Sequence, residues 1–95
     1  MASVLETQLA RALDRRLSVF GAKAAAGTLL QDEMSLRAAA YMASEIIQPC
    51  CCMLCNKDKL AALLKGTSLC RDRAELITKM AELIYHDLAR CNGLG

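Results

Sequence analysis

The chain has 95 residues, of which 55% are apolar and only 3% aromatic, and twelve basic against ten acidic residues give a formal net charge of +2. A domain of this length can build one core but buries barely enough surface to fold alone, so we expect partners or self-association. A core of Leu, Ala, Ile, Met and Cys favours packed helices over a sandwich of strands. We therefore expect a single all-α domain over residues 1–95. The small charge argues against a nucleic-acid-binding surface.

The N-terminal region lacks the features of a targeting segment. Glu6, Asp14 and the arginine pair Arg15 and Arg16 interrupt any apolar run there, and no run approaches the roughly 20 residues of a membrane span. We expect an intracellular, cytoplasmic protein in a reducing compartment. Its six cysteines are then free thiols or ligands rather than a disulfide framework.

The first half of the sequence predicts two helices. Ser3-Val4-Leu5-Glu6 has the pattern of a capping box, and leucines recur every four residues after it, which predicts a helix from about Val4 to Phe20. The Ala-rich stretch between Gly21 and Gly27 is taken as a loop. A second capping box begins at Thr28, and the next strong breaker is Pro49, so a second helix should span about Leu29 to Ile47.

The second predicted helix has two apolar stripes. One consists of Leu30, Met34, Ala38, Tyr41 and Met42. The other consists of Leu36, Ala40, Ala43 and Ile47. A helix that is apolar on two faces is usually covered on two faces, by its own domain or by another chain. We take the stripe of Leu36, Ala40, Ala43 and Ile47 as the candidate partner interface.

The second half predicts two more helices. Asn56 can cap a short helix that ends at Lys65, with Gly66 in the left-handed position that terminates helices. Thr67 or Ser68 can cap the last helix, from Leu69 to about Cys91. In it Cys70, Ile77, Ile84 and Cys91 repeat every seven residues and predict a broad apolar face. The result is a small bundle of about four helices, two of them long.

The stretch PCCCMLC contains Cys50, Cys51, Cys52 and Cys55. Free cysteine often packs as a small apolar side chain, which suits Cys70 and Cys91 on the heptad stripe. Adjacent residues of a helix point about 100° apart, so the four clustered thiols cannot all enter one core. At least one of them should be accessible.

Two further interpretations of the cluster are left open. Cys52 and Cys55 form a C-x-x-C that could bind zinc, Cu(I) or an iron–sulfur cluster, but only isolated Cys70, His86 and Cys91 could complete the site. CCCMLCNK also resembles the acylated cysteine cluster of the synaptosomal-associated SNARE proteins. That resemblance implies fatty acylation on the four cysteines and peripheral membrane contact, with nearby lysines at the head groups.

The segment from Lys59 to Arg73 resembles a helix-turn-helix DNA-binding motif, with a short helix, a turn at Gly66 and arginines opening the next helix. Lys65 stands where the motif has an apolar side chain, and the following helix is too long for a usual recognition helix. Together with the low net charge, these departures argue against DNA binding.

No catalytic motif is visible, and we expect neither an enzyme nor a cofactor. His86, the only histidine, is expected at the surface. The sequence favours a protein-binding module, adaptor or chaperone-like, that acts on a protein partner or as a homo- or hetero-oligomer. The small helical chaperones of secretion systems offer an analogy at the level of fold alone.

Overall fold

The computed structural model describes residues 4–50 and 56–91, apart from the side chain of Cys91. These ranges contain no strand. The elements in chain order are α1 (Val4–Leu17), a 3₁₀ turn (Ser18–Phe20), α2 (Gly21–Ala25), a 3₁₀ turn (Leu29–Gln31), α3 (Glu33–Ile47), a 3₁₀ turn (Gln48–Cys50), α4 (Lys57–Lys65) and α5 (Ala74–Cys91). Because α1, the first 3₁₀ turn and α2 follow one another without a break, they form one helical arm over residues 4–25. The described residues are therefore an all-α bundle of four helices, as predicted. The two long ones are this arm, of 22 residues, and α5, of 18.

The stretch from Gly21 to Gly27 continues the helical arm, so the predicted loop was wrong. Gly21 has helical backbone angles, with φ of −60°, and the alanines after it have the highest helix propensity of any residue. The arm ends at Gly27, whose φ is +75°. There the N–H of Thr28 donates to the Lys23 carbonyl over 2.9 Å, and the N–H of Gly27 donates to the Ala24 carbonyl over 3.1 Å. This is a Schellman motif, and its left-handed position favours glycine.

Helix α3 begins at Glu33, because its cap is Asp32 and not the predicted Thr28. The Thr28 hydroxyl instead donates to the Lys23 carbonyl. The Asp32 carboxylate accepts hydrogen bonds from the Ser35 N–H over 3.1 Å and the Ser35 hydroxyl over 2.9 Å, and it forms an ion pair with Lys23. These contacts, the hydrogen bond from Lys23 first among them, lower the pKa of Asp32 from 3.8 to about 2. Asp32 thus ties the end of the first arm to the start of α3.

Helix α4 begins where the sequence predicts. The side chain of Asn56 accepts hydrogen bonds from the N–H groups of Asp58 and Lys59, over 2.7 and 3.3 Å. The helix ends at Lys65. Gly66, however, has φ of −81° and is not in the expected left-handed conformation. The chain tightens there into a right-handed turn, with the N–H of Gly66 donating to a carbonyl three residues earlier over 3.1 Å.

Helix α5 begins at Ala74, later than predicted, because the connection from α4 is a series of turns. The buried Thr67 hydroxyl accepts a hydrogen bond from the N–H of Cys70 over 3.4 Å and so closes a turn instead of capping α5. Asp72 has φ of +61°, which is incompatible with a right-handed helix. The half-buried Arg73 donates from its guanidinium to the main-chain carbonyl four residues earlier, over 3.1 Å. The cap of the first helix, predicted at Ser3, lies outside the described residues.

Helix α5 is the common packing surface of the fold. It packs most extensively against α3 and α4, and α3 packs in turn against α1. The buried residues of α5 are Leu76, Met80, Ala81, Ile84, Leu88 and Ala89. Ile84 is fully buried as the heptad pattern predicts, whereas Ile77 is only half-buried and Met80, which is off the heptad, is fully buried. An α-helix turns every 3.6 residues, so a buried stripe drifts from a strict seven-residue repeat.

Replacement of Ile84 by Asp should abolish cooperative folding. An unpaired carboxylate in an apolar core costs several kcal/mol, which is comparable with the roughly 5–14 kcal/mol of stability expected for a chain of this size. Arg71→Ala is the matched control, because Arg71 is exposed in the connection before α5. Urea unfolding followed by circular dichroism measures both variants. A cooperative transition of the Asp variant at the wild-type midpoint would contradict the packing.

Loss of the Asp32 charge should change how stability depends on pH. The folded-state pKa of about 2 lies below the value of 3.8 for an unperturbed carboxyl group. The contribution of the Asp32 charge to folding stability is therefore fully present above pH 3.8 and is lost as the pH falls towards 2. Asp32→Asn retains a capping oxygen but loses the charge. We expect the free energy of unfolding of this variant to fall less between pH 4 and pH 2 than that of the wild type. Equal pH dependence in the two proteins would show that the Asp32 charge has no such role.

Cys70 should resist alkylation in the folded protein. Its side chain has no exposed surface, its Sγ lies 3.8 Å from the Sδ of Met80, and burial raises the pKa of the thiol. Iodoacetamide should therefore modify Cys70 only after unfolding in urea, as peptide mass mapping would show. Modification at equal rates in the folded and unfolded protein would contradict the burial.

Candidate interaction surface

The stripe that we expected to face a partner lies inside the core of the chain itself. Leu36 is 3% exposed, and Ala40, Ala43 and Ile47 have no exposed surface. Helix α3 packs against α1 and α5, and these contacts cover the stripe. In the folded chain the four side chains are out of reach of a partner. The structure therefore corrects this assignment, and the large exposed apolar side chains of α3 lie on its opposite side.

The opposite side of α3 carries an exposed apolar stripe. Met34 is 84% exposed and Tyr41 62% exposed, and Ala38 between them is also exposed. Spacings of four and three residues place the three side chains on one side of the helix. We call Met34, Ala38 and Tyr41 the open face. Its two large members are half of the four large apolar side chains that the described residues expose, and Met and Tyr are residue types enriched in protein interfaces.

The open face borders a groove between α3 and α5. The groove consists of two surface depressions of about 540 and 460 Å³. Tyr41, Asp87 and Arg90 contribute to both. The remaining lining residues are Ser44, Glu45 and Gln48 in the larger depression and Arg37, Ala38, Ala40, Leu83 and His86 in the smaller. Tyr41 and Ala38 therefore belong both to the open face and to the wall of the groove.

The floor of the groove holds a polar contact between the two helices. The buried Ser44 hydroxyl lies 2.8 Å from the Ala40 carbonyl oxygen and 3.3 Å from Oδ2 of Asp87. A hydroxyl donates one proton at a time, so the shorter contact to Ala40 is the stronger. Asp87 also pairs with Arg90 over 3.2 Å. The contact joins α3 to α5 and leaves the Asp87 carboxylate partly accessible in the groove.

The charged side chains that line the groove are each paired with an opposite charge of the same chain. Arg37 lies 2.9 Å from Glu33, Glu45 lies 3.7 Å from Arg16, and Asp87 pairs with Arg90. These pairs are exposed or half-exposed, so each contributes little to stability. Their effect is to leave the groove and the open face without an excess of either charge.

The cysteine cluster is described only at its first residue. Cys50 ends the 3₁₀ turn after α3 and is half-buried against the core. Cys51, Cys52 and Cys55 lie outside the described residues, so the metal and acylation hypotheses stay predictions. Within residues 4–50 and 56–91, no group of three or more His, Cys, Asp or Glu side chains is arranged to hold a metal ion.

The resemblance to a helix-turn-helix does not extend to the geometry of the connection. Helices α4 and α5 pack together, but eight residues separate them, where the motif has a turn of three or four. Arg71 and Arg73 lie in this connection rather than in the first turn of α5. His86 is exposed, as expected, and lines the smaller depression of the groove.

The sequence did not reveal the contact between Ser44 and Asp87, and the stripe of α3 that was expected to face a partner is the buried one. The available signal was Ser44 itself, which is a single hydroxyl between apolar positions of α3 and one turn after Ala40. A buried serine needs a hydrogen-bond partner, and a main-chain carbonyl one turn earlier is the nearest. Nothing in the sequence identified Asp87 as the second partner.

No described helix is both long and apolar enough to cross a membrane. Comparison with known proteins gave no match to a protein-family model, to a curated protein or to a solved structure.

Proposed function

We propose that the chain is a small helical protein-binding module, of the adaptor or chaperone-like kind, that binds an apolar helix of another polypeptide through the open face. The observation that carries the proposal is the exposure of Met34 and Tyr41 on a helix whose other face is fully used by the core. A soluble domain that already has a complete core has no need of a second apolar stripe for folding.

The shape of the surface suits a helix as the ligand. An amphipathic helix binds an apolar groove through side chains spaced three, four and seven residues apart. The open face presents the same spacing, and the adjoining groove runs between α3 and α5. Ala38 is the small residue at which a second helix can approach closely, with the large side chains of Met34 and Tyr41 on either side.

The size of the open face implies weak, reversible binding. Large side chains carry about 150–250 Å² each, so Met34 and Tyr41 together expose on the order of 300 Å². A stable interface buries about 800 Å² on each partner. Binding through this face must recruit the walls of the groove, and complexes of this size exchange readily.

The probe is a designed amphipathic peptide of about 18 residues. It has one stripe of Leu residues, and the residues beside that stripe are uncharged. In NMR titrations with the labelled protein, the shift changes should concentrate at the open face and the groove. The double variant M34E, Y41E should weaken binding about tenfold or more, because carboxylates on this face must be desolvated. Val19→Glu is the matched control, since Val19 is 72% exposed at a different site.

Two results would contradict the proposal. One is peptide binding that M34E, Y41E leaves unchanged. The other is equal weakening by Val19→Glu, because the peptide would then be responding to added negative charge rather than to the open face.

A further inference from the structure

We infer that the helix received by the open face is α3 of a second copy of this chain, packed antiparallel with Ala38 near the two-fold axis. The inference rests on the proposed function and adds the identity of the partner. Three observations carry it: the spacing of the open face, the neutrality of its surroundings and the limited apolar area.

The spacing of the open face is self-complementary. Met34 precedes Ala38 by four residues and Tyr41 follows it by three, so two large side chains flank a small one almost symmetrically. When two such helices pack antiparallel at Ala38, Met34 of each chain lies against Tyr41 of the other. A two-fold interface requires this kind of reciprocal contact. Methionine sulfur against an aromatic ring is a favourable contact.

The charges around the open face permit the approach of an identical surface. Two copies present the same charges to each other, so unpaired charges of one sign would repel. Here Arg37 is paired with Glu33, and Glu45 with Arg16. A partner selected by opposite charge would instead require an unpaired excess on this surface. The paired arrangement favours a second copy over a strongly acidic or basic protein.

The limited apolar area of the open face is typical of a complex that forms and dissociates readily. An α-helix rises about 1.5 Å per residue, so the 15 residues of α3 offer a contact about 22 Å long. The two large side chains along it expose on the order of 300 Å², which is less than the standard interface of about 800 Å² per partner. We therefore expect a dimer that dissociates in the micromolar range rather than a permanent one.

The test uses the full chain under reducing conditions, with sedimentation equilibrium as the measurement. The wild type should dimerise, and M34E alone or Y41K alone should raise the dissociation constant about tenfold or more. An equimolar mixture of the two variants should recover a heterodimer within about threefold of the wild-type affinity. In the antiparallel pair the new acidic side chain of one chain faces the new basic side chain of the other, while the second contact keeps Met34 and Tyr41. Val19→Glu should leave the dimer unchanged.

The possible outcomes of this experiment bear separately on the antiparallel arrangement, on the dimer and on the proposed function. A mixture that fails to recover the dimer excludes the antiparallel arrangement, because parallel helices would place position 34 against position 34. A dimer that neither variant weakens uses another surface and overturns the inference. A wild type that stays monomeric at about 100 μM, yet binds the Leu-stripe peptide through the open face, overturns the inference and leaves the proposed function standing. A wild type that neither dimerises nor binds the peptide overturns both the inference and the proposed function.

Discussion

The fold depends on the close approach of α3 to its neighbours. Ala39, Ala40 and Ala43 have no exposed surface, and α3 packs against both α1 and α5. The chain has two tyrosines, one phenylalanine and no tryptophan, so large rings cannot fill wide gaps between helices. Dense packing must therefore come from short distances between the helix axes, with leucines of the surrounding helices packed against the alanines of α3. Larger side chains at these positions would force the helices apart.

The rotation of α3 about its axis decides which apolar stripe enters the core. Ser44 lies on the buried side, where its hydroxyl contacts the Ala40 carbonyl and the carboxylate of Asp87. A rotation that buried Met34 and Tyr41 would carry Ser44 away from α5 and leave Asp87 without this contact. Packing separates the two stripes by size, because Met34 and Tyr41 are too large for the short distances that the buried alanines allow. Close packing therefore gives α3 one orientation, with the small residues inward and the open face outward, and the longer contact from Ser44 to Asp87 adds to this preference.

The sequence predicted the features that depend on local chemistry or on strong periodicity. Asn56 capped α4 as expected, and of the leucines spaced every four residues in α1, Leu9, Leu13 and Leu17 are buried and Leu5 is half-buried. The errors arose where two local signals competed. Thr28 resembled a cap, but Asp32 is a better one because it also reaches Lys23. The sequence showed that α3 has two apolar stripes, but the choice between them depends on how α3 packs against α1 and α5, and α5 includes Asp87, which is 43 residues from Ser44. No local pattern carries that information.

Under the proposed function, the paired rim charges and the small apolar stripe determine how the open face discriminates between partners. Charge complementarity selects partners by sign and weakens as salt screens it. On this surface each charge lining the groove already has an intramolecular partner, so charge contributes little to selection. Discrimination must then rest on the fit of side chains around Ala38, where a larger residue on the incoming helix would hold the two backbones apart. A helix that offers a small residue between two large ones satisfies that requirement, and α3 is itself such a helix.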